Sequence, residues 1–187
     1  MSLDHLWAGW RAGYVASVSD GVEYPPVDTL ATASHSGYPI DEEEPSDCVF
    51  CAIATSAVPD EELYVLYRGE STFAVLNAYP YASGHLLVMP NRHVGDISEL
   101  TGDEYTELFD ATRLAMLALE DAYHADGMNM GANFGRAAGA GIPRHLHVHV
   151  LPRWLGDTNF MTTVASTRVM PEALSDSWLK VRAAWPS

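Results

Sequence analysis

Apolar and polar residues alternate most strictly over residues 145–151, His-Leu-His-Val-His-Val-Leu. On a strand this alternation puts Leu146, Val148 and Val150 on one face and three imidazoles on the other. Shorter apolar runs at 63–67, 72–77, 84–89 and 128–133 also read as strands, and a turn through Tyr79, Pro80 and Gly84 joins the second and third of these. Between 101 and 123 the period changes from two to 3.6. Thr101 and Glu104 have capping-box spacing, apolar residues recur at Tyr105, Leu108, Phe109, Ala115, Met116, Leu119 and Tyr123, and Gly127 is a plausible stop. The pattern predicts an α+β fold, an antiparallel sheet of about five strands with one long helix packed on one face.

The flanks read differently. Leu3, Leu6, Trp7, Trp10 and Tyr14 share helical spacing and predict a short N-terminal helix. Residues 17–47 are rich in Ser, Thr, Pro and acids, including the run from Asp41 to Glu44, and read as an irregular arm. The expected organisation is therefore an N-terminal helix and acidic arm over 1–47, a compact domain over 48–168 and a C-terminal helical tail over 169–187.

Composition narrows the function. A chain of 187 residues with 48% hydrophobic content is long enough to bury a core. A formal net charge of −15 argues against a surface that grips long nucleic acid or an anionic bilayer. Residues 127–168 run against this trend, carrying Arg136, Arg144, Arg153 and Arg168 against the single acid Asp157, among glycines and histidines. Such a segment suits a short anionic ligand. No stretch approaches 18 apolar residues, and the start Met1-Ser2-Leu3-Asp4-His5 has neither a basic nor an apolar leader region, so the chain reads as soluble and cytoplasmic. Cys48 and Cys51, the only cysteines, have a spacing typical of metal or redox chemistry in a reducing compartment.

Neighbouring histidines on the 145–151 strand stand ~6.6 Å apart at the backbone and the outer pair ~13 Å, too far for one small ion to gather all three easily. Three of the chain's eight histidines in five residues, beside a glycine-rich loop flanked by arginines, point to chemistry on an anion.

These residues resemble the histidine triad (HIT) family, whose signature of alternating histidine and apolar positions is matched throughout 145–151. The resemblance continues upstream through Phe73 to Asn77, Tyr79-Pro80, Gly84-His85 to Pro90, and Arg92-His93. The N-terminal Leu6-Trp7-Ala8-Gly9-Trp10-Arg11 and the segment from Pro152 to Phe160 resemble the branch of bacterial diadenosine tetraphosphate phosphorylases and related nucleotide hydrolases. The resemblance implies that His147 attacks the α-phosphorus of a nucleotide to give a nucleotidyl-histidine, which water or phosphate resolves. By the same likeness, His149 contacts the reacting phosphoryl group, His145 holds His147 in its reactive tautomer, and His85 supports the triad strand. Asn77 binds ribose, Gly139 and Gly141 offer backbone N–H groups to phosphate, and Asn133 and Arg153 add polar contacts.

Some branches of the family complete a cysteine pair with two histidines, here His93 and His145. That predicts a structural zinc on Cys48, Cys51, His93 and His145, with no organic cofactor. The expected partners are a nucleotide or dinucleoside polyphosphate substrate and a second copy of the chain, with neither long nucleic acid nor membrane. Three other readings are a nucleotide-binding regulator with little turnover, a nucleoside phosphoramidate or adenylyl hydrolase, and a metal-dependent barrel enzyme using His145 and His147 as ligands.

Overall fold

The computed structural model describes residue 45 and residues 48–157 and 172–186. The predicted N-terminal helix and nearly all of the arm lie outside these residues. The described part has four α-helices, α1 (Val49–Ala54), α2 (Asp60–Leu63), α3 (Gly102–Tyr123) and α4 (Leu174–Ala184), and five strands, β1 (Val65–Arg68), β2 (Thr72–Leu76), β3 (Leu86–Pro90), β4 (Gly127–Ala132) and β5 (Val148–Arg153). The strands form one antiparallel sheet in the order β1-β2-β3-β5-β4. The chain makes a meander, crosses over through α3 to the far edge at β4, and returns to lay β5 beside β3. The histidine-rich strand is thereby interior to the sheet.

Strands β2 and β3 are buried along their whole length, which is why they read as continuous apolar runs. Alternate residues feed two cores. Ala74, Leu76, Leu86, Val88, Leu146, Val148 and Val150 pack under α3 and α4, while Phe73, Val75, Leu87 and Met89 meet Cys48 and Phe50 on the opposite face. The predicted division of 145–151 between an apolar and an imidazole face therefore holds.

Helix α3 has its capping box, with the Glu104 N–H donating to the Thr101 hydroxyl and the Thr101 N–H donating to the Glu104 carboxylate. Its inner stripe runs Leu108, Ala111, Ala115, Ala118 and Leu119, so small residues let the helix lie close to the sheet. Tyr105 stays half-exposed and packs on Phe109. Gly127 is not the stop: His124 takes the left-handed conformation (φ 47°) that ends the helix, and Gly127 opens β4. In α4 the Trp178 Nε1–H donates to the Val65 carbonyl (2.8 Å) and Val181 enters the core under α3.

The starts of three strands differ from expectation, β3 opening only at Leu86 because Gly84 turns the chain in the left-handed region (φ 76°) just before it. Leu63 and Tyr64 precede β1, because Pro59 and three acids start one turn of helix that Tyr64 closes in the left-handed region (φ 57°). Strand β5 begins at Val148, not His145. The ladder with β3 ends at Val88↔Val148, and two residues further along β3 stands Pro90, which has no N–H to give. The Leu146 N–H instead donates to the Val94 carbonyl (2.6 Å).

Candidate functional site

The site is built where β5, the end of β3, the turn before β3 and helix α1 meet. Main-chain acceptors decide the state of each imidazole. The His147 Nδ1 lies 2.7 Å from the carbonyl of His145, which can only accept, so Nδ1 carries the proton and Nε2 the lone pair. The His145 Nε2 donates in the same way to the Pro90 carbonyl (2.8 Å), leaving its Nδ1 bare. In the turn, the Tyr81 N–H donates to the His85 Nδ1 (3.1 Å), with the Asn77 amide Nδ2 at 3.3 Å from the same atom. His85 must then carry its proton on Nε2, which donates to the His149 Nδ1 (2.9 Å) and leaves His149 protonated on Nε2.

The site thus combines a lone pair on His147 Nε2 with an N–H donor on His149, the rings standing 5.1 Å apart between centroids. Burial lowers the pKa of His147, and burial together with the neighbouring His147 lowers that of His149 to about 4, so both imidazoles are neutral near pH 7.

Two aromatic residues complete the surroundings, and neither was singled out by sequence reasoning. Phe50, buried between the two cysteines, sets its ring against His145 (5.4 Å) and His147 (5.2 Å). Tyr81, half-exposed, lies parallel to His149 (5.9 Å, 19°) and tilted over His85 (4.6 Å). The signals available were a phenylalanine inside Cys-x-x-Cys and a second tyrosine in the Tyr79–Gly84 turn.

The remaining expected residues fall into two groups. Asn77 is at the site, its side-chain oxygen accepting the Tyr79 N–H (2.9 Å). Asn133 follows β4, whose Gly131 stands directly opposite His149. In the glycine-rich loop a short 3-10 turn (Arg136–Ala138) uses three main-chain donors internally: the Ala138 and Ala140 N–H groups go to the Gly135 carbonyl and the Gly139 N–H to the Arg136 carbonyl. The Gly141 N–H is not used within the loop. Gly139 needs its left-handed backbone (φ 92°) to close that turn. Arg153 stands at the far end of β5, its guanidinium held by Asp157 (2.5 and 2.8 Å) and the Asn129 side-chain oxygen (2.7 Å).

Cys48, Cys51, His93 and His145 converge behind His147, their ligand atoms within 4.8 Å of one another. The bare His145 Nδ1 is 3.4 Å from the Cys48 Sγ and 3.5 Å from the Cys51 Sγ, and the His93 Nδ1 is 3.2 Å from the Cys51 Sγ. A tetrahedral zinc with Zn–S about 2.3 Å and Zn–N about 2.0 Å sets adjacent sulfur and nitrogen donors about 3.5 Å apart. Two thiols facing two imidazoles at that spacing fit such an ion.

A family model described as the HIT domain matches residues 59–154. The chain belongs to the HIT family. It is 36% identical over 186 residues to the AP-4-A phosphorylase of Mycobacterium tuberculosis, an alignment covering 98% of this chain and 85% of that protein. It is 38% identical over 93 residues to the asymmetrical bis(5'-nucleosyl)-tetraphosphatase of Schizosaccharomyces pombe, half of each chain. Among solved structures, a Zn-bound histidine triad family protein from Mycobacterium smegmatis superposes with a TM-score of 0.61 at 30% identity, covering 75% of this chain and 94% of that one. The antiparallel five-stranded sheet with its long helix is thus the HIT fold.

Proposed function

We propose that this HIT protein is an enzyme of phosphoric anhydrides that cleaves a dinucleoside polyphosphate of the diadenosine tetraphosphate kind at its α-phosphorus. The observation that carries the reading is the pair of fixed tautomers, a lone pair on His147 Nε2 beside an N–H on His149. His147 Nε2 attacks the α-phosphorus, a P–N bond forms, and the bond to the bridging oxygen breaks as the remaining polyphosphate leaves. The Nδ1–H bond to the His145 carbonyl steadies the positive charge that the ring then carries. The His149 Nε2–H donates to a phosphoryl oxygen as charge develops there. Water or inorganic phosphate next attacks the phosphorus from the open side, and His147 leaves unchanged.

Around this centre Asn77 takes the ribose, the loop with Gly139 and Gly141 approaches the phosphates, and Asn133 contributes a polar contact at its margin, while Arg153 is held at the far end of β5 by Asp157 and Asn129. Support for Gly141 as a main-chain donor to phosphate is that the N–H groups of its two predecessors are used within the loop and its own is not. Zinc on Cys48, Cys51, His93 and His145 would be structural, since four protein donors leave no open position for substrate. It would pin α1, and with it Phe50, to the segment carrying the nucleophile. Thiols so placed and not joined in a disulfide suit a reducing, cytoplasmic setting, and among the described residues no helix is long and apolar enough to cross a membrane. The HIT domain over 48–168 would act as a homodimer, supported by the outer edge of β4 and the exposed Met130 and Phe134 near it.

Incubation with diadenosine tetraphosphate, with and without inorganic phosphate, tests the reading. ADP and ATP formed only with phosphate identify a phosphorylase, and AMP and ATP formed without it a hydrolase. Nucleotide binding with no turnover under either condition would leave a regulator instead and overturn the proposal.

A further inference from the structure

The turn before β3 holds an aromatic residue that the reaction as described leaves without a part. Tyr81 touches the histidine pair in two independent ways. Its main-chain N–H donates to the His85 Nδ1 (3.1 Å), the shorter of the two donor contacts, the other from the Asn77 amide (3.3 Å), that place the proton of His85 on Nε2. Its ring lies parallel to His149 at 5.9 Å and over His85 at 4.6 Å, while the residue keeps about half of its surface (49%) in solvent. Half-exposed rings on turns ordinarily gain little by staying in one place. This one covers imidazole, and the imidazole it covers is the donor that faces the phosphoryl group.

We propose that Tyr81 is a positioning residue for His149: its N–H sets the direction of the two-histidine hydrogen-bond chain, and its ring holds the far imidazole in plane so that Nε2–H points at the reacting phosphate. The proposal rests on the hydrolytic or phosphorolytic reading above. Direction matters because the His85–His149 contact (2.9 Å) can be made with the proton on either nitrogen. With no donor at His85 Nδ1, the chain could reverse, His149 would donate from Nδ1 to His85, and Nε2 would offer a lone pair to the phosphate oxygens in place of a hydrogen. Repulsion would then replace attraction where charge develops. The titratable groups against His149 are His85 from the turn and His147 along β5, with Tyr81 beside them. Leu87 on β3 and Gly131 on β4 stand opposite it and bring no charge. The ring also excludes water from His149, in keeping with its lowered pKa.

Histidine NMR joined to steady-state kinetics tests this. In the full chain without substrate at pH 7, nitrogen-15 spectra should report His85 and His149 both protonated on Nε2. Tyr81→Phe keeps the N–H and the ring and should leave spectrum and kcat within about twofold, whereas Tyr81→Leu should lower kcat about tenfold with KM little changed, a fraction of what general acid–base contacts supply. In Tyr81→Leu the His149 titration should also rise towards the ordinary value of 6.5, since solvent reaches the ring. Tyr81→Met, another side chain without a ring, should repeat the Leu result if that variant folds poorly. Wild-type kcat and titration in the ringless variants, or His149 protonated on Nδ1 in the wild type, would overturn the proposal. Failure of the wild type to turn over any nucleotide would count against the functional reading alone, because tautomers and titration are read without substrate.

Discussion

Gly84, the residue before His85, is where fold and site can be perturbed together with a calculable cost. Its backbone is left-handed (φ 76°), and a Cβ added there would sit 2.5 Å from Tyr123 Cε2 and 2.9 Å from Leu119 Cδ2. Forcing an alanine into the left-handed region costs ~1–2 kcal/mol. The clash adds to this, and Tyr123 has little room to yield. Its ring packs edge-on against Trp154 (5.9 Å) with the Lys180 ammonium over its face (4.8 Å). Overpacking of this kind costs ~1–3 kcal/mol, so Gly84→Ala should destabilise the protein by about 2–5 kcal/mol. At ~2–4 °C per kcal/mol for a chain of this size, the thermal midpoint should fall by roughly 4–20 °C.

Urea unfolding followed by tryptophan fluorescence gives the free energy, and turnover measured well below the lowered midpoint shows where the strain went. Relief at the backbone displaces His85 and lowers kcat, while relief at Tyr123 lowers stability alone. Gly102→Ala is the control: a Cβ there meets nothing within 4 Å, and alanine at the start of a helix should be neutral or stabilising by up to ~1 kcal/mol. A Gly84→Ala protein within ~0.5 kcal/mol of wild type would refute the argument, since that is the range of an ordinary surface substitution.

His147→Ala should lower kcat by several orders of magnitude while nucleotide affinity by equilibrium dialysis stays close to wild type, and nucleotide trapped at alkaline pH should map to the His147 peptide in wild type only. His149→Ala and Asn77→Ala should be milder, the first mainly in kcat and the second mainly in KM. Protein purified without chelator should carry one zinc per chain by elemental analysis, and Cys48→Ser or His93→Ala should lose it; full wild-type zinc content in both variants would refute the donor set. Glu104, held at about 2 by the Arg92 guanidinium and the Thr101 N–H, is a carboxylate whose folded pKa lies below its ordinary 4.5. It therefore adds stability at neutral pH that is lost as the pH falls from about 4.5 towards 2, and Arg92→Gln should flatten acid unfolding over that window.

Much of this was legible in the chain because periodicity reports burial. The alternation at 145–151 and the run from Thr101 to Tyr123 each recorded the face they bury, and the helix spans the residues the pattern gave it. The start of β5 was not legible, since it depends on Pro90, a residue of the partner strand 55 positions before His145. Helices α1 and α2 span six and four residues, too few for a period to repeat. The roles of Phe50 and Tyr81 are contacts across the fold, and local composition cannot encode which imidazole a ring will meet. The sequence did reveal donors of the right kind at Cys48, Cys51, His93 and His145, but only folding shows that the bare nitrogen of His145 turns to the sulfurs while the other bonds Pro90.

His145 serves two neighbours through atoms of different kinds. Its ring belongs with the thiols, and its carbonyl orients His147. Mutation can exchange a ring but not a carbonyl, so the two duties are inherited separately. A descendant that lost Cys48, Cys51 and the imidazole at 145 would still present an acceptor to the His147 ring, provided the backbone kept its path. Anchoring of α1 and orientation of the His147 ring can therefore drift apart over evolutionary time, since only the first needs the side chain at 145.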